Sequence, residues 1–106
     1  INNNSLVFKK WHVNDQLCND EKNILSPLSH AKILEPEIII VPLVAYDIKG
    51  NRLGQGGGYY DQYALKNPKK LFVGFCYFIQ KLDVMPREKH DMILNYLITE
   101  RTILKF

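Results

Sequence analysis

Two continuous apolar runs dominate the hydrophobic pattern of this chain. The run 38–41 is Ile-Ile-Ile-Val and is closed by Pro42, and the run 71–78 is apolar and rich in aromatic residues. Runs of this length without polar alternation are typical of strands that are buried on both faces, as in parallel sheets. We therefore predict that both runs are buried strands of one sheet.

Helical signals follow each of these runs. Residues 59–66 predict a short helix that ends before Asn67-Pro68, because a proline disfavours helical backbone in the residue before it. Residues 86–89 predict the start of a second helix with 91–97 as its body, since proline is favoured in the first helical turn. Strand, glycine-rich loop, helix and strand in this order predict an α/β fold with a mainly parallel sheet.

Shorter elements complete the predicted fold. Loose alternation over 6–13 suits a strand with one buried face, and 97–99 and 102–104 are predicted as short closing strands. Residues 14–37 are mostly polar, and we predict a long irregular connection there, containing at most a helical turn. Because so long a connection is unusual in a compact domain, we interpret it as a surface that meets something outside this chain.

Length and composition restrict the class of protein. The chain has 106 residues, 46% of them hydrophobic and 24% charged, which predicts a single domain spanning 1–106. A net charge of +3 is too small to indicate a nucleic-acid partner, and no apolar run approaches the roughly 20 residues of a membrane-spanning helix. Cys18 and Cys76 lie far apart without metal-ligand spacing, which favours a reduced, cytoplasmic setting.

The chemistry of the chain is concentrated in a glycine-rich loop. Five of its six glycines fall between Gly50 and Gly58. Glycines allow backbone N–H groups to approach an anion, and the start of a helix just after them adds partial positive charge. Phosphate is the ligand that such a loop suits, and Arg52 at its entrance adds a charge-assisted contact. A tight turn without a ligand is the alternative.

Two known phosphate motifs do not fit this loop. A P-loop ends in Lys followed by Ser or Thr, and neither pair is present here. A dinucleotide-binding fingerprint requires an acid about 20 positions further on, directly after a strand. Asp83 has about that spacing, but it follows Gln80-Lys81-Leu82 rather than the end of the apolar run. The loop therefore belongs to neither class.

Asp61 and Asp91 are the candidate metal ligands. Asp61 directly follows the loop, where its carboxylate can face bound phosphates, and Mg²⁺ prefers one or two carboxylates together with phosphate oxygens. The alternatives are a first-turn acid that stabilises the helix for Asp61 and an exposed acid for Asp91. Tyr59 and Tyr60 are interpreted as core residues, with the alternative for Tyr59 of a ring that faces the loop and stacks on a ligand or hydrogen-bonds to it.

A longer motif surrounds the glycine-rich loop. It runs from Pro42 through Ala45-Tyr46-Asp47 to Arg52-Leu53-Gly54-Gln55-Gly56-Gly57-Gly58-Tyr59-Tyr60-Asp61, followed by Val73-Gly74-Phe75, Gln80, Met85-Pro86, His90-Asp91 and Ile98-Thr99-Glu100. By this motif the chain resembles the 5-formyltetrahydrofolate cyclo-ligase family. The resemblance is specific over 38–100 and weak before Pro27, and Tyr46 stands where the family usually has Phe.

The resemblance implies ATP-dependent cyclisation of 5-formyltetrahydrofolate to 5,10-methenyltetrahydrofolate, with release of ADP and phosphate, by a three-layer α/β enzyme. It implies that 52–60 binds ATP, that 55–59 also lines the folate side, that Arg52 and Tyr59 are catalytic, and that Asp61 and Asp91 hold Mg²⁺. The implied ATP ligands are Arg52, Leu53, Gly54, Gln55, Gly56, Gly57, Gly58, Tyr59 and Tyr60, of which Gln55, Gly56, Gly57, Gly58 and Tyr59 would also contact the substrate.

The family pattern also includes an N-terminal portion with further phosphate-binding cations, which this chain does not show. We therefore expect the chain to correspond to the C-terminal portion of such an enzyme, and to need residues before Ile1 or a partner chain for turnover. The alternative function is a truncated module that binds nucleotide without catalysis.

Overall fold

The computed structural model describes residues 1–54, 57–83, 85 and 91–106 and divides into two compact units, Ile1–Pro36 and Glu37–Phe106. In the N-terminal unit, strand β1 pairs antiparallel with β4, and β2 pairs antiparallel with β3. These strands are β1 (Phe8–Lys9), β2 (Leu17–Asn19), β3 (Leu25–Pro27) and β4 (Ile33–Leu34).

The prediction of an irregular connection over 14–37 is therefore wrong, since three of these strands lie within it. The turn between β2 and β3 explains the difference. Asp20 Oδ1 accepts the backbone N–H groups of Lys22 and Ile24 at 2.8 and 3.0 Å, and Asn23 adopts a positive φ of 59°. Polar residues that read as loop thus build a tight hairpin turn, because Asp and Asn stabilise such backbone with their own side chains. The strand predicted over 6–13 is limited to β1.

A four-stranded sheet forms the centre of the C-terminal unit. Its order is β10-β9-β8-β5, with β5 parallel to β8, β8 parallel to β9, and only β10 antiparallel to its neighbour. The mixed α/β class with a mainly parallel sheet is confirmed. The elements of this unit are β5 (Ile38–Val41), β6 (Ala45–Tyr46), β7 (Arg52–Leu53), α1 (Tyr59–Lys66), β8 (Leu71–Phe75), a 3-10 turn (Phe78–Gln80), β9 (Tyr96–Ile98) and β10 (Ile103–Lys105).

The two faces of this sheet differ in burial. On one face Ile39, Val41 and Phe72 are buried, and the ring of Tyr63 from α1 meets the ring of Phe72 edge-on with centroids 6.4 Å apart. The helix therefore covers this face. The prediction that β5 is buried on both faces is wrong, because its residues alternate between exposed and buried.

The opposite face is apolar and mostly exposed, with Val73 buried near its centre, and we call it the open face. Strand register places its side chains next to one another across all four strands. Ile38 is 57% exposed and Phe75 is 64% exposed. The exposed members of the open face are Ile38, Ile40, Leu71, Phe75 and Ile103.

The second predicted helix is wrong over 91–97, while its predicted start at 86–89 lies outside the described residues. Ile93 instead forms a bridge with Asn51, and the N–H of Leu94 donates to Gly50 O at 3.0 Å. Asn95 then pairs with Phe72 through two hydrogen bonds, one from its backbone N–H and one to its side-chain oxygen. Pairing with neighbouring segments satisfies this backbone, so no helix forms. No helix in the described part of the chain is long and apolar enough to cross a membrane.

Candidate functional site

The glycine-rich loop starts at the carboxyl end of β5, through a small hairpin. After β5 the chain passes Pro42 and forms β6 and β7, which pair antiparallel with Tyr46 opposite Arg52. The buried carboxylate of Asp47 fixes the turn, because its Oδ1 accepts the N–H groups of Lys49 and Asn51 at 2.9 and 3.0 Å. This rigid hairpin sets where the loop begins, as expected for a binding loop at the carboxyl edge of parallel strands.

The loop ends at the start of α1, as the sequence predicted. Gly58 precedes the helix with a φ of 70°, a left-handed conformation that favours glycine, and among the described residues no side chain caps the first amides of α1. A Cβ added at Gly58 would meet no described atom within 4 Å. In the part of the chain that the structure describes, the helix therefore begins with uncapped N–H groups, which is an arrangement suited to an anion.

Arg52 and Asp61 form an ion pair across the base of the loop. Their atoms Nη1 and Oδ1 are 3.3 Å apart, and the two side chains are only 7% and 15% exposed. Arg52 also donates from Nε and Nη2 to Pro42 O at 3.3 and 3.2 Å, and its guanidinium lies 5.9 Å from the centre of the Tyr60 ring. The sequence predicted both charged residues for the site, but it did not predict that they pair.

The close approach of Arg52 explains the first glycine of the loop. A Cβ at Gly54 would overlap Nη2 of Arg52, so a larger residue there would displace the guanidinium from its carbonyl partner. Gly54 thus serves the packing of Arg52, whereas Gly58 serves the conformation of the loop.

Asp91 lies close to Asp61, although 30 positions separate them in the sequence. Oδ1 of Asp61 accepts the N–H of Met92, the residue directly after Asp91, at 3.0 Å. In the described residues no hydrogen bond reaches Oδ2 of Asp61, which leaves that oxygen for a ligand. Within the same part of the chain no group of three or more His, Cys, Asp or Glu side chains is placed to hold a metal ion. The fold therefore brings the backbone next to Asp91 against the carboxylate of Asp61.

The two tyrosines of the motif are both half-buried in the first turn of α1. Burial raises the pKa of Tyr60, while the nearby Arg52 guanidinium acts in the opposite direction. Tyr60 thus belongs to the packing around Arg52, which favours the core interpretation for this residue. The predicted site residues Gln55 and Gly56 lie outside the described residues.

Residues 2–100 match the family model of the 5-formyltetrahydrofolate cyclo-ligase family. The chain belongs to this family. The 5-formyltetrahydrofolate cyclo-ligase of Escherichia coli K12 is 32% identical over 102 residues, which are 90% of this chain and 56% of that protein. The protein of the same name from Haemophilus influenzae is 45% identical over 62 residues, covering 57% of this chain and 33% of its own length.

A solved structure agrees with the family assignment. The NMR structure of Aquifex aeolicus 5,10-methenyltetrahydrofolate synthetase is 33% identical and superposes with a TM-score of 0.79. The match covers 99% of this chain and 55% of that chain. The chain thus spans about half the length, or less, of the relatives that it matches.

Gln80 is a residue of this region whose role the sequence did not predict. In the sequence Gln80 is only one of the residues that match the family pattern. In the structure its side chain donates hydrogen bonds to carbonyl groups of the segment between β5 and β6. A polar residue just after an apolar strand of a parallel sheet is the signal that would have pointed to it, since such residues lie at the carboxyl edge.

Proposed function

We propose that this chain supplies the nucleotide-binding part of a 5-formyltetrahydrofolate cyclo-ligase. The reaction is the ATP-dependent cyclisation of 5-formyltetrahydrofolate to 5,10-methenyltetrahydrofolate, with release of ADP and phosphate. One observation carries the proposal: uncapped helix amides next to Gly58 stand beside the Arg52–Asp61 pair, in a member of the family. We also propose a cytoplasmic setting, which the free thiols of Cys18 and Cys76 favour.

ATP would lie along 52–60 with its phosphates toward the start of α1. The first amides of the helix would donate to phosphate oxygens, and Arg52 would supply positive charge at the entrance. The folate would lie against 55–59. Gln55 and Gly56 take their proposed roles from the motif alone, because they lie outside the described residues.

The chemistry requires a good leaving group at the formyl carbon. The formyl oxygen of the folate attacks the γ-phosphorus, ADP departs, and N10 then attacks the activated carbon as phosphate leaves. Most of the acceleration of a phosphoryl transfer comes from positioning and charge neutralisation rather than from covalent chemistry by the protein. Arg52 and Tyr59 are the catalytic residues in this proposal, Arg52 by neutralising phosphate charge and Tyr59 by orienting the bound folate.

Asp61 and Asp91 would hold Mg²⁺ together with the phosphates. Among the described residues the hydrogen bonds to Asp61 reach only Oδ1, and Asp91 is one residue from the Met92 amide that binds it. Bound Mg²⁺ would neutralise phosphate charge, and it commonly keeps one or two protein carboxylates alongside phosphate oxygens and water. Replacing Asp61 with Asn should therefore raise the Mg²⁺ concentration needed for ATP binding. Calorimetric titrations of ATP at several Mg²⁺ concentrations, with Asp83→Asn as the matched exposed control, test this.

The open face supports our expectation that these 106 residues need a further part of the fold for catalysis. Parallel strands are normally covered on both faces, yet α1 covers only one here. We propose that the open face is covered by the rest of a cyclo-ligase fold, in the same polypeptide or in a second one, since the Aquifex aeolicus chain is matched over only 55% of its length. The same part would bring further cations to the phosphates. A nucleotide-binding module without catalysis is what the 106 residues would form by themselves.

Two measurements on the 106-residue polypeptide test the proposal. Calorimetry should detect binding of MgATP, and Arg52→Gln should weaken it about tenfold or more, through loss of a charge-assisted contact. The formation of methenyltetrahydrofolate, followed by absorbance with 5-formyltetrahydrofolate, ATP and Mg²⁺, should be slow or absent. Absence of MgATP binding would refute the nucleotide site. Full turnover by a preparation whose mass corresponds to residues 1–106 would refute the need for further groups.

A further inference from the structure

Three consecutive carbonyl groups after β5 are each bound by a side chain. Arg52 donates to Pro42 O, as described above. Gln80 donates from Nε2 to Leu43 O at 3.3 Å and to Val44 O at 3.0 Å. The segment Pro42–Val44 is thus held from one side by the entrance of the glycine-rich loop and from the other by the turn that follows β8.

Gln80 uses both ends of its amide. Its Oε1 accepts the N–H of Tyr77 at 2.8 Å, at the start of the 3-10 turn, while Nε2 makes the two bonds to the segment. The side chain is only partly exposed. Glutamate, which has nearly the same shape, would keep the acceptor but would place a negative oxygen against the two carbonyls, because an ionised carboxylate has no donor.

The segment connects directly to the glycine-rich loop. The N–H of Val44 donates to Leu53 O at 2.7 Å, and Leu53 is the residue immediately before Gly54. Val44 therefore accepts from Gln80 with its carbonyl and donates to the last residue before the loop with its amide. Hydrogen-bonded segments of this kind transmit a shift at one end to the other, since each bond tolerates only a small change in distance.

We propose that Gln80 is a positioning residue for the glycine-rich loop: through Val44 it fixes where Leu53, and hence the phosphate-binding backbone, lies. The inference rests on the proposed function, because it gives Gln80 a consequence for ATP binding. Displacement of binding groups by a fraction of an ångström is costly in a preorganised site, which is why the effect should appear in ATP affinity and not only in stability.

Four proteins of the full 106 residues make the test: the wild type, Gln80→Glu, Gln16→Glu and Tyr46→Phe. Gln16→Glu introduces the same charge at an exposed position of the N-terminal unit. Tyr46→Phe removes a different bond to the same turn, from the Tyr46 hydroxyl to Phe78 O at 3.2 Å, without touching the carbonyls of Leu43 or Val44. MgATP affinity is measured by calorimetry, thermal stability by circular dichroism, and exchange of the Val44 amide by NMR.

We expect Gln80→Glu to weaken MgATP binding about tenfold, corresponding to the loss of one or two hydrogen bonds, and to speed exchange of the Val44 amide. Tyr46→Phe should lower thermal stability but keep MgATP affinity within about twofold of the wild type. Gln16→Glu should likewise keep MgATP affinity within about twofold of the wild type. If Gln80→Glu does not fold, Gln80→Met takes its place; it adds no charge and removes both bonds to the segment together with the bond from the Tyr77 N–H. Affinity unchanged in the folded Gln80 variant, or lost equally in Tyr46→Phe, would overturn the inference.

The proposed function and this inference can fail separately. A wild-type chain that does not bind MgATP refutes the nucleotide site, and the positioning role is then judged on Val44 exchange alone. In that case, exchange as slow in the Gln80 variant as in Gln16→Glu refutes the inference, and selectively faster exchange supports it.

Discussion

The ion pair between Arg52 and Asp61 allows a quantitative test of how the loop is held. Both side chains are largely buried, at 7% and 15% exposed, and the charged atoms are 3.3 Å apart. Removing one partner of a buried pair typically costs about 3–5 kcal/mol, because the other charge is left without compensation. In Asp61→Asn the amide oxygen can still accept the N–H of Met92, so we expect a smaller loss, about 2 kcal/mol.

The expected loss is large enough to measure in a chain of this size. About 2 kcal/mol corresponds to a fall in Tm of roughly 10 °C for a small domain. Urea and thermal unfolding, followed by circular dichroism, would be measured for Asp61→Asn, Arg52→Gln and the double variant. Because both single variants break the same pair, the double variant should lose less than the sum by about 1 kcal/mol or more.

Asp83→Asn is the matched control, since Asp83 is exposed in the same unit. Its stability should stay within about 0.5 kcal/mol of the wild type. The reasoning would be refuted if Asp61→Asn behaved like this control, or if the free energies of the two single variants were additive in the double variant. Either result would mean that the charges of Arg52 and Asp61 do not interact appreciably in solution.

Three further predictions concern other parts of the C-terminal unit. Gly58→Val should cost about 1–2 kcal/mol in stability, because φ is positive at this position. The folded variant should show no MgATP binding in calorimetry. A folded variant with unchanged MgATP affinity would contradict the anion site. Burial raises the pKa of the Cys76 thiol, and the Glu100 carboxylate acts in the same direction. The rate of Cys76 alkylation by iodoacetamide, measured by mass spectrometry, should therefore still increase with pH above pH 9. A rate that reaches its plateau below that pH would contradict the raised pKa. Since the folded chain then holds this proton more tightly than the unfolded chain, this group's contribution to stability is present at neutral pH and is lost as pH rises through the raised pKa. An exposed apolar face favours association, so Phe75→Ser on the open face should reduce self-association of the chain, measured by ultracentrifugation. The same variant should change the free energy of unfolding by less than about 1 kcal/mol. A much larger loss of stability would mean that the Phe75 side chain is already covered.

The sequence determined the elements whose signals are local. Helix α1 has the predicted bounds because Asn67-Pro68 ends it and glycines precede it. The mainly parallel sheet was predicted from two apolar runs joined by a loop and a helix, and β5 pairs parallel with β8. The family was likewise predicted from a single contiguous motif, and our proposal of phosphate binding rests on the same motif.

Contacts between distant positions were decided by the tertiary structure alone. The segment 91–97 was predicted to be helical from the proline before it, but pairing with Gly50, Asn51 and Phe72 satisfies its backbone instead. Such partners lie more than 20 positions away, so no local pattern reports them. The open face could not be predicted from the sequence for the same reason. An apolar run shows that a strand can be buried on both faces, but it does not show which segments cover each face.

The site divides in the same way. The sequence predicted Arg52, Asp61 and Asp91 as site residues by residue type and motif, because phosphate and cation chemistry demands such groups. The three-dimensional fold decided that Arg52 pairs with Asp61, that the amide of Met92, the residue after Asp91, binds Asp61, and that Gln80 binds the segment leading to the loop. Hydrogen bonds depend on atomic distances between separate strands and turns, and those distances exist only once the sheet has formed.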